Sequence, residues 1–443
     1  MSDIPVTADP AETPGTVVDL TAAHEVAAAD VPPELLAQSL GQYLRALWLR
    51  VRSGDSGVLP VVLGIIVVAV AFQIANAKFL SPQNLVQLFE QSTVYMLLAM
   101  AVIFVLLLGE IDFSVGLVMG LNAVLVAELV QPTGPDFPWW AAIIVALLAS
   151  AAFGAFQGWL VARLGLPSFI VTLGGLLILE GLAIIFLGGS LVGIGNSRFT
   201  NERILYDIFY GQFSPVVGWI LLAVLVVGGA TGMWLRDMQR RRGGLETSPR
   251  SLTALKIILM TVAGVAIVVI CNSNRAHSGV IEGVPYIIPI VLIVLGASTI
   301  LLQRTRFGRY VYAIGGNPEA ARRAGVRVRS VRIWGFVLSA LISAIAGVLF
   351  GSWQVSMTTN IIKSANAYVL LAIAAAVIGG TSLFGGRGKT IHGVLGGLVI
   401  GGIYNGLYLL GIQSQWIDVV VAAVLLVAAT VDVLSRRGAP LRA

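Results

Sequence analysis

The residues of this chain that could do chemistry are carboxylates placed inside apolar sequence. In "LLLGEIDFSVG", residues 106–116, Glu110 and Asp112 interrupt an apolar run, and Glu180 lies in the middle of "LGGLLILEGLAIIFLGG". A charged side chain in hydrocarbon costs at least about 2.5 kcal/mol, so each of these groups must face protein or water. Intramembrane carboxylates bind protons or solutes, and they also make structural hydrogen bonds. The sequence leaves both roles open.

The composition of the chain is that of a membrane protein with many spans. It has 443 residues, of which 57% are hydrophobic and 11% charged, against about 25% charged in soluble domains. The sequence therefore predicts an all-α, polytopic helical membrane protein with ten to twelve transmembrane segments in a lipid bilayer. Two stretches, 113–130 and 366–380, are short or interrupted by glycine and are candidates for half-helices or re-entrant segments. The apolar stretches lie at approximately 58–75, 92–108, 113–130, 139–163, 168–187, 215–235, 254–271, 286–302, 332–353, 366–380, 392–411 and 416–434.

The basic residues predict how the chain is oriented. With a cytoplasmic N-terminus, alternating spans place 23 of the 28 Lys and Arg on the inner side and 5 on the outer side. This is the positive-inside pattern, so both termini are predicted to be cytoplasmic. Because most cations flank membrane segments, the net charge of +6 indicates topology, and no nucleic-acid partner is expected.

Charge also divides the chain into regions. Residues 1–44 carry seven Asp and Glu and no Lys or Arg, and are predicted to be a disordered acidic cytoplasmic tail. A basic juxtamembrane segment follows at 45–57, then a transmembrane domain at 58–435 and a short basic cytoplasmic tail at 436–443. The transmembrane domain includes a basic cytoplasmic loop at 304–332.

The chain lacks the residues for a catalytic centre or a metal site. Cys271 is the single cysteine, and the three histidines lie far apart in the sequence. "LFGGRGKT", residues 383–390, has Leu383 where a phosphate-binding loop needs its first glycine, and no strand precedes it. No catalytic residue, metal or cofactor is therefore expected, and any ATP hydrolysis must occur on a separate chain.

A short helix is predicted in the 304–332 loop, within "GNPEAARRAG". Asn317 is a good N-cap and Pro318 suits the first helical position. Glu319 at the start and arginines at the end complement the helix dipole, and a glycine follows as a terminator. A simple connector needs no capped helix, so the pattern favours a docking element. The residues assigned to it are Gly316, Asn317, Pro318, Glu319, Ala320, Ala321, Arg322, Arg323 and Gly325.

Residues 94–130 are too long for one membrane helix, so the chain must turn or break near Gly109–Gly116. Asp112 or Ser114 can cap the helix that follows. Two interpretations stay open: a tight hairpin on the inner side, or a helix break that lines a translocation path. Amide and aromatic side chains of later spans can hydrogen-bond to a polar solute and stack against it. The residues assigned to a path or a structural break are Gly109, Glu110, Asp112, Ser114, Gly116, Glu180, Trp353, Gln354, Tyr404, Asn405 and Tyr408.

Glycines recur in the late spans at the spacing of close helix contacts. Gly393, Gly397 and Gly401 are four residues apart, and so are Gly402 and Gly406. Such small-residue stripes let helix backbones approach each other. Whether the contact lies within one subunit or between two copies stays open.

Three motifs together resemble one transport family. "GEIDFSVG", "AIGGNPEAARRAGVRV" and "VIGGTSLFGGRG" with "GVLGGLVIGGIYNGLYLLG" are similar to segments of permease subunits in ribose- and xylose-type sugar ABC importers. Glu110, the acidic N-terminal tail and the extra "RDMQRRRGGLETSPR" look most like the xylose branch, whereas Phe113 replaces a commoner Leu.

The resemblance implies a multi-pass permease of the bacterial inner membrane that imports a monosaccharide, xylose or a related pentose, by alternating access. It also implies partners: separate ABC ATPase subunits, an extracytoplasmic sugar-binding protein and a second permease copy. The helix at 317–324 would be the ATPase-coupling helix.

A rival interpretation is an ion-coupled secondary sugar transporter, in which Glu180 or Asp112 would bind the proton. A membrane enzyme is the third class, and the chain has no His, Asp and Cys cluster to support it.

Overall fold

The computed structural model describes residues 58–189, 191–194, 199–243, 250–276 and 279–437. The predicted tail at 1–44, the segment at 45–57 and the last six residues of the chain lie outside this part. The elements are α1 Leu59–Ala75, α2 Pro82–Leu106, α3 Val115–Leu129, α4 Trp139–Leu164, α5 Ser168–Leu187, β1 Val192–Gly193, α6 Thr200–Tyr210, α7 Pro215–Arg242, α8 Arg250–Asn272, α9 Ile287–Arg304, α10 Arg306–Gly316, α11 Pro318–Arg323, α12 Val328–Gln354, β2 Ser356–Met357, α13 Thr359–Ile378, α14 Thr390–Leu409 and α15 Ser414–Arg437.

The chain forms two compact units. The described part of the smaller unit is residues 226–243 and 250–260, which form the second half of α7 and the first half of α8. Within it, the Thr253 hydroxyl donates a hydrogen bond to Asp237 at 2.8 Å. The larger unit is formed by the described residues between 58 and 225 and between 261 and 437, and it contains every residue assigned to a site from the sequence.

The predicted all-α membrane architecture is confirmed. Among the described residues, nine helices are long and apolar enough to cross a membrane, and three shorter apolar helices accompany them. Each of the twelve apolar stretches seen in the sequence coincides with one of these helices. The short stretch at 113–130 is indeed a helix of only 15 residues, α3.

The stretch at 366–380 is not a half-helix, since α13 begins earlier, at Thr359, and has 20 residues. Its start is marked by the Thr358 hydroxyl, which accepts a hydrogen bond from the Ile361 backbone N–H. The hydropathy pattern misses this turn because Asn360, Lys363 and Ser364 are polar.

Helix α2 is the centre of the larger unit. Every residue from Val94 to Leu106 is buried, and α12 and α14 pack along it. By contrast, only 6% of the apolar window of α7 is buried. A helix that is apolar on all sides and fully enclosed forms the core of a membrane bundle, whereas the others turn apolar side chains outward toward lipid.

The glycine stripe of α14 makes its close contact within the subunit. A methyl group on Gly397 would lie 2.6 Å from the backbone nitrogen of Met96 in α2, and one on Gly393 2.8 Å from that of Met100. Gly406 faces α1, where a methyl would lie 2.5 Å from the ring of Phe72. The stripe therefore joins α14 to α2 and α1, which resolves the alternative that the sequence left open.

Two small elements at one end of the larger unit were not predicted. Strands β1 and β2 pair antiparallel, with Val192 opposite Met357, and α6 is an amphipathic helix that buries Leu205 and Phe209. Their hydropathy is too low to register as membrane sequence, and the two strands are only two residues long.

Candidate functional site

The predicted helix in the 304–332 loop is confirmed as α11. The Asn317 side chain accepts hydrogen bonds from the backbone N–H groups of Glu319 at 3.0 Å and Ala320 at 2.9 Å. Gly325 then adopts φ +82°, the left-handed conformation that ends a helix. Gly316, which was assigned to this element, is the last residue of α10 instead, because Asn317 is extended and separates the two helices.

The charged residues of α11 point outward. Glu319 accepts hydrogen bonds from Arg322 at 3.0 Å and Arg323 at 3.2 Å, and the side chains of all three are at least half exposed. These hydrogen bonds lower the pKa of the Glu319 carboxyl, the one from Arg322 most. The helix thus presents a fixed pattern of one anion and two cations.

Glu110 forms an ion pair across the fold. Its Oε1 lies 3.1 Å from Nε of Arg332, in the second turn of α12. The side chains are 12% and 29% exposed, so the pair is partly shielded from solvent. The partner of Glu110 lies 222 positions away in the sequence, and nothing in the apolar pattern around Glu110 indicates it.

Asp112 is buried and fully hydrogen-bonded. Its Oδ1 accepts from the backbone N–H of Ser114 at 2.8 Å and from the Ser114 hydroxyl at 2.6 Å, and its Oδ2 accepts from the Ser339 hydroxyl at 3.1 Å. Three donors compensate a buried carboxylate for the loss of water. Asp112 therefore accepts from the backbone N–H of Ser114, the residue before α3, and the Ser114 hydroxyl caps no N–H of the helix because it donates to the carboxylate.

The Ser114 hydroxyl also lies 3.0 Å from the side chain of Gln157 in α4. The Ser114 hydroxyl has one hydrogen, which it donates to Asp112. It must therefore accept from Gln157, so the NH₂ group of that side chain faces Ser114. This chain of three residues ties the break to α4, and Asp112 links it to α12.

The chain reverses direction at residues 107–114, because α2 ends beside Gly335 of α12 and α3 runs back along α12, with Ala123 beside Gly351. Residues 110–114 form no helix, and the Ile111 backbone N–H donates to the Ser168 hydroxyl at 3.2 Å. Glu110 pairs with Arg332, four residues after the start of α12, and Asp112 is bonded to Ser339, eleven residues after it. These positions lie about 6 and 16 Å along the helix axis. The break therefore passes into the bundle, and α3 starts below its surface.

Gly116, in the first turn of α3, confirms this depth. A methyl group there would lie 2.5 Å from the carbonyl oxygen of Ala365, seven residues into α13. The break does not line an open channel in this structure, since Asp112 is 2% exposed and Ser114 is fully buried. In this structure the Asp112 and Ser114 side chains of the break are enclosed inside the bundle.

Three segments that are distant in sequence meet at the end of the larger unit where α2 stops. We call this the arginine-rich end, and it comprises residues 107–110, 304–332 and 379–389. The Gly386 backbone N–H donates to the Leu107 carbonyl at 3.0 Å, and Gly315 packs against both groups. The Tyr312 hydroxyl donates to the Gly388 carbonyl at 2.8 Å. Each of these segments overlaps one of the three sequence motifs.

Beside α11 lies a basic groove of about 600 Å³. Four exposed arginines line it, contributed by α4, α11 and the start of α12: Arg163, Arg322, Arg327 and Arg329. Their combined charge suits an acidic partner surface.

At the opposite end of the larger unit, Asn405 is held by other amides. It is 4% exposed, its Oδ1 accepts from Asn84 at 2.8 Å, and its Nδ2 donates to Gln91 at 3.3 Å. This side chain fastens α14 to α2 and is not free to bind a solute. Two tyrosines of α14 lie nearby in the sequence. Tyr408 is 54% exposed, and the Tyr404 hydroxyl donates to Asp418 at 2.9 Å.

Aromatic rings connect this region with the end of α12. Tyr95 stacks between Tyr368 and Tyr404, with ring centroids 5.3 and 5.7 Å away. The Trp353 carbonyl accepts a hydrogen bond from the Tyr210 hydroxyl at 2.8 Å. The Trp353 ring centroid lies 6.3 Å from that of Phe350. Gln354 is the last residue of α12 and half-buried. The sequence missed Tyr95 and Tyr368, although each begins a similar stretch, "YMLLAMA" and "YVLLAIA".

Glu180 does face protein, as predicted for a carboxylate too deep to reach the surface. Its Oε2 accepts from Nδ2 of Asn366 in α13 at 3.0 Å, and the side chain is half-buried. Its partner Asn366 lies two residues before Tyr368 in α13, one of the tyrosines stacked on Tyr95.

Comparison with known proteins identifies the family to which the chain belongs. A family model described as the permease component of the branched-chain amino acid transport system matches residues 84–429, more than half of the chain. The chain belongs to this permease family. It is a multi-pass membrane transport protein, and the resemblance to ribose- and xylose-type permeases predicted from the sequence is confirmed.

The permease resembles sugar permeases over most of its length. The xylose transport system permease protein XylH of Haemophilus influenzae is 30% identical over 389 residues, which cover 88% of this chain and 99% of that protein. XylH of Escherichia coli is 31% identical over 82% of this chain and 88% of its own. The ribose import permease protein RbsC of Escherichia coli is 30% identical, with 81% and 88% covered. No solved structure matches the permease significantly.

Proposed function

We propose that this permease is the membrane-spanning subunit of an ATP-driven importer for a monosaccharide, xylose or a related pentose, in a bacterial inner membrane. It performs no covalent chemistry and works by alternating access with ABC ATPase subunits, an extracytoplasmic sugar-binding protein and a second copy of itself. Relatives named for xylose and ribose transport support the sugar. The observation that carries the proposal is the capped, exposed helix α11 next to the meeting point of three distant segments.

Helix α11 is the part of this assembly that would receive the ATPase subunit. Its end caps fix its geometry, and Glu319, Arg322 and Arg323 are exposed. The neighbouring basic groove extends the same charged surface. In this proposal the arginine-rich end and both termini are cytoplasmic, in agreement with the positive-inside pattern.

The solute path belongs to the other group of residues. Trp353, Gln354, Tyr404 and Tyr408 are half-buried or exposed, and aromatic faces with polar edges suit a sugar. Glu180 lies beside α13 and contributes a polar group in the middle of the span. Asn405 and Asp112 position helices, since their polar atoms are already bonded to protein.

The transport activity can be tested in proteoliposomes that contain the permease with its ATPase and binding protein. We expect ATP-dependent uptake of xylose, weaker uptake of ribose and none of leucine, which tests the amino-acid description of the family model. Sugar uptake driven by a proton gradient, with the permease alone and no ATPase, would instead support the ion-coupled secondary transporter. Leucine uptake without xylose uptake would reject the sugar.

The docking role of α11 has a matched control at the other end. Glu319→Lys places a third cation on α11 and should abolish capture of the ATPase subunit by the purified permease, as should replacement of Asn317 and Pro318 by glycines. Asp207→Lys makes the same change in an exposed carboxylate that lies 3.9 Å from Arg203, one turn away in α6. Capture should be unchanged in that control. Equal capture by all the variants would show that α11 is not the docking element.

A further inference from the structure

Gly315, near the end of α10, makes a close backbone contact with two other segments of the arginine-rich end. A β-carbon at this position would lie 1.9 Å from the carbonyl oxygen of Leu107 and 2.4 Å from the backbone nitrogen of Gly386. These two atoms are already joined by a hydrogen bond of 3.0 Å. Gly315 therefore covers a hydrogen bond between two other segments, and a side chain as small as a methyl group does not fit.

The next residue behaves differently. A methyl group at Gly316 would meet nothing within 4 Å. Two adjacent glycines in the same helix thus differ completely in their surroundings, so the requirement at Gly315 comes from tertiary contact and not from the helix itself.

A second contact fixes α10 to the same loop. One turn before Gly315, the Tyr312 hydroxyl donates to the carbonyl of Gly388 at 2.8 Å. A β-carbon on Gly385 would lie 3.1 Å from the Gly315 carbonyl oxygen. The end of α10 and the 379–389 loop are therefore in contact through backbone atoms on both sides.

Each contacted segment leads to a different part of the bundle. Leu107 begins the break, whose Glu110 and Asp112 are bonded to α12. Gly386 lies in the loop that joins α13 to α14, the helices of Tyr368 and Tyr404. On the other side, a single residue separates Gly315 from the Asn317 cap of α11. Packed contacts of this kind switch between discrete arrangements and do not deform smoothly.

We propose that Gly315 is a positioning residue that transmits displacement of α11 to the break and to the 379–389 loop at the same time. This one backbone contact then couples the ATPase-facing helix to α12, through the break, and to α13 and α14, through the 379–389 loop. The inference rests on the proposed function, because α11 is displaced only if an ATPase subunit binds there.

The test compares Gly315→Ala with Gly296→Ala in the complete transporter, reconstituted with its ATPase and binding protein. Gly296 also lies inside a helix, α9, and a methyl group there meets nothing within 4 Å. We measure sugar transported per ATP hydrolysed, together with ATPase capture and thermal stability. Gly315→Ala should keep the ATPase bound and lower the ratio about fivefold or more, the lower range of coupling between sites. Gly296→Ala should keep the wild-type ratio.

Tyr312→Phe is a milder second variant that removes only the hydrogen bond to Gly388 and should lower the ratio about twofold. If Gly315→Ala does not fold, the transport ratio of Tyr312→Phe tests the inference in its place. A wild-type ratio in Gly315→Ala, or in Tyr312→Phe when the alanine variant is unfolded, would overturn the inference. So would loss of ATPase capture by a folded Gly315→Ala, because the residue would then belong to docking. Failure of the wild-type transporter to take up sugar with ATP would reject the proposed function instead, whatever the variants do.

Discussion

The arginine-rich end and the opposite end of the larger unit are held together by different kinds of group. At the arginine-rich end, the segments around Leu107, Gly315 and Gly386 meet through backbone atoms, with glycines where the chains touch. At the opposite end, helices are joined through side chains, by the amides of Asn84 and Asn405 and by stacked tyrosines. Backbone contacts tolerate no added atom, whereas side-chain contacts can be exchanged by rotation.

This difference fits the work proposed for each end. A junction that transmits force requires contacts with fixed geometry, and a surface that accepts and releases a solute requires side chains that can adjust. Substitutions at the arginine-rich end should therefore affect the whole fold or its coupling, whereas those at the opposite end should act locally.

The largest effect is expected for Asp112→Ala. It leaves the Ser339 hydroxyl and the Ser114 donors without their buried acceptor, which should lower the free energy of unfolding by about 3 kcal/mol. Denaturant unfolding of the purified permease in detergent measures this. Asp418→Ala, an exposed carboxylate with one hydrogen bond from Tyr404, should cost less than about 1 kcal/mol. Equal losses would show that the buried hydrogen bonds of Asp112 do not stabilise the fold more than the exposed one of Asp418.

A second comparison lies within the opposite end itself. Asn405→Ala removes a buried amide bonded to Asn84 and Gln91 and should cost about 1–2 kcal/mol in the same measurement. Tyr408→Ala, at a side chain 54% exposed, should leave stability within about 0.5 kcal/mol and lower the maximal rate of sugar uptake. Normal uptake by Tyr408→Ala would take this residue out of the proposed path.

The local features of the arginine-rich end could be predicted from the sequence, but its contacts could not. Asn317, Pro318 and Gly325 determine α11 through backbone geometry within a few residues, so the helix was found. The partners of Glu110 and Gly315 come from segments tens to hundreds of residues away, and no local pattern encodes them.

The same distinction holds for the glycine stripe and for the missed elements. Spacing alone showed that Gly393 and Gly397 pack closely, but it could not choose α2 as the partner. Helix α6 and the first turn of α13 were missed because their polar residues hide them from a hydropathy pattern.

The ion pair between Glu110 and Arg332 offers a smaller test of the arginine-rich end. Because both side chains are partly solvated, a double-mutant cycle with Glu110→Gln and Arg332→Gln should give a coupling of about 0.5–1 kcal/mol. The Arg203 and Asp207 pair on α6, with both side chains largely exposed, provides the comparison and should give close to zero. A larger coupling on α6 would contradict the idea that the break is the better anchored region.

The smallest effect concerns the ion pairs of α11. Because the folded pKa of Glu319 is lowered, their stabilisation is complete above the ordinary pKa near 4.5 and is lost as the pH falls through the lowered value. Hydrogen-exchange protection of the amides from Ala320 to Gly325 should therefore be constant between pH 6 and 8, after correction for intrinsic rates, and should decrease only in acid. Glu319→Gln should lack this acid transition.

The packing of α2 against α14 has a consequence for how the chain is made. Asn84 and Asn405 are 321 positions apart, so α2 leaves the ribosome long before its partner is synthesised. Until then, the amides of α2 have no interhelical acceptor and its backbone has no glycine stripe to receive it. We therefore expect α2 to be retained by the insertion machinery, or by a membrane chaperone, until α14 arrives. Chains truncated before α14 should be degraded, while those that end after it should be stable.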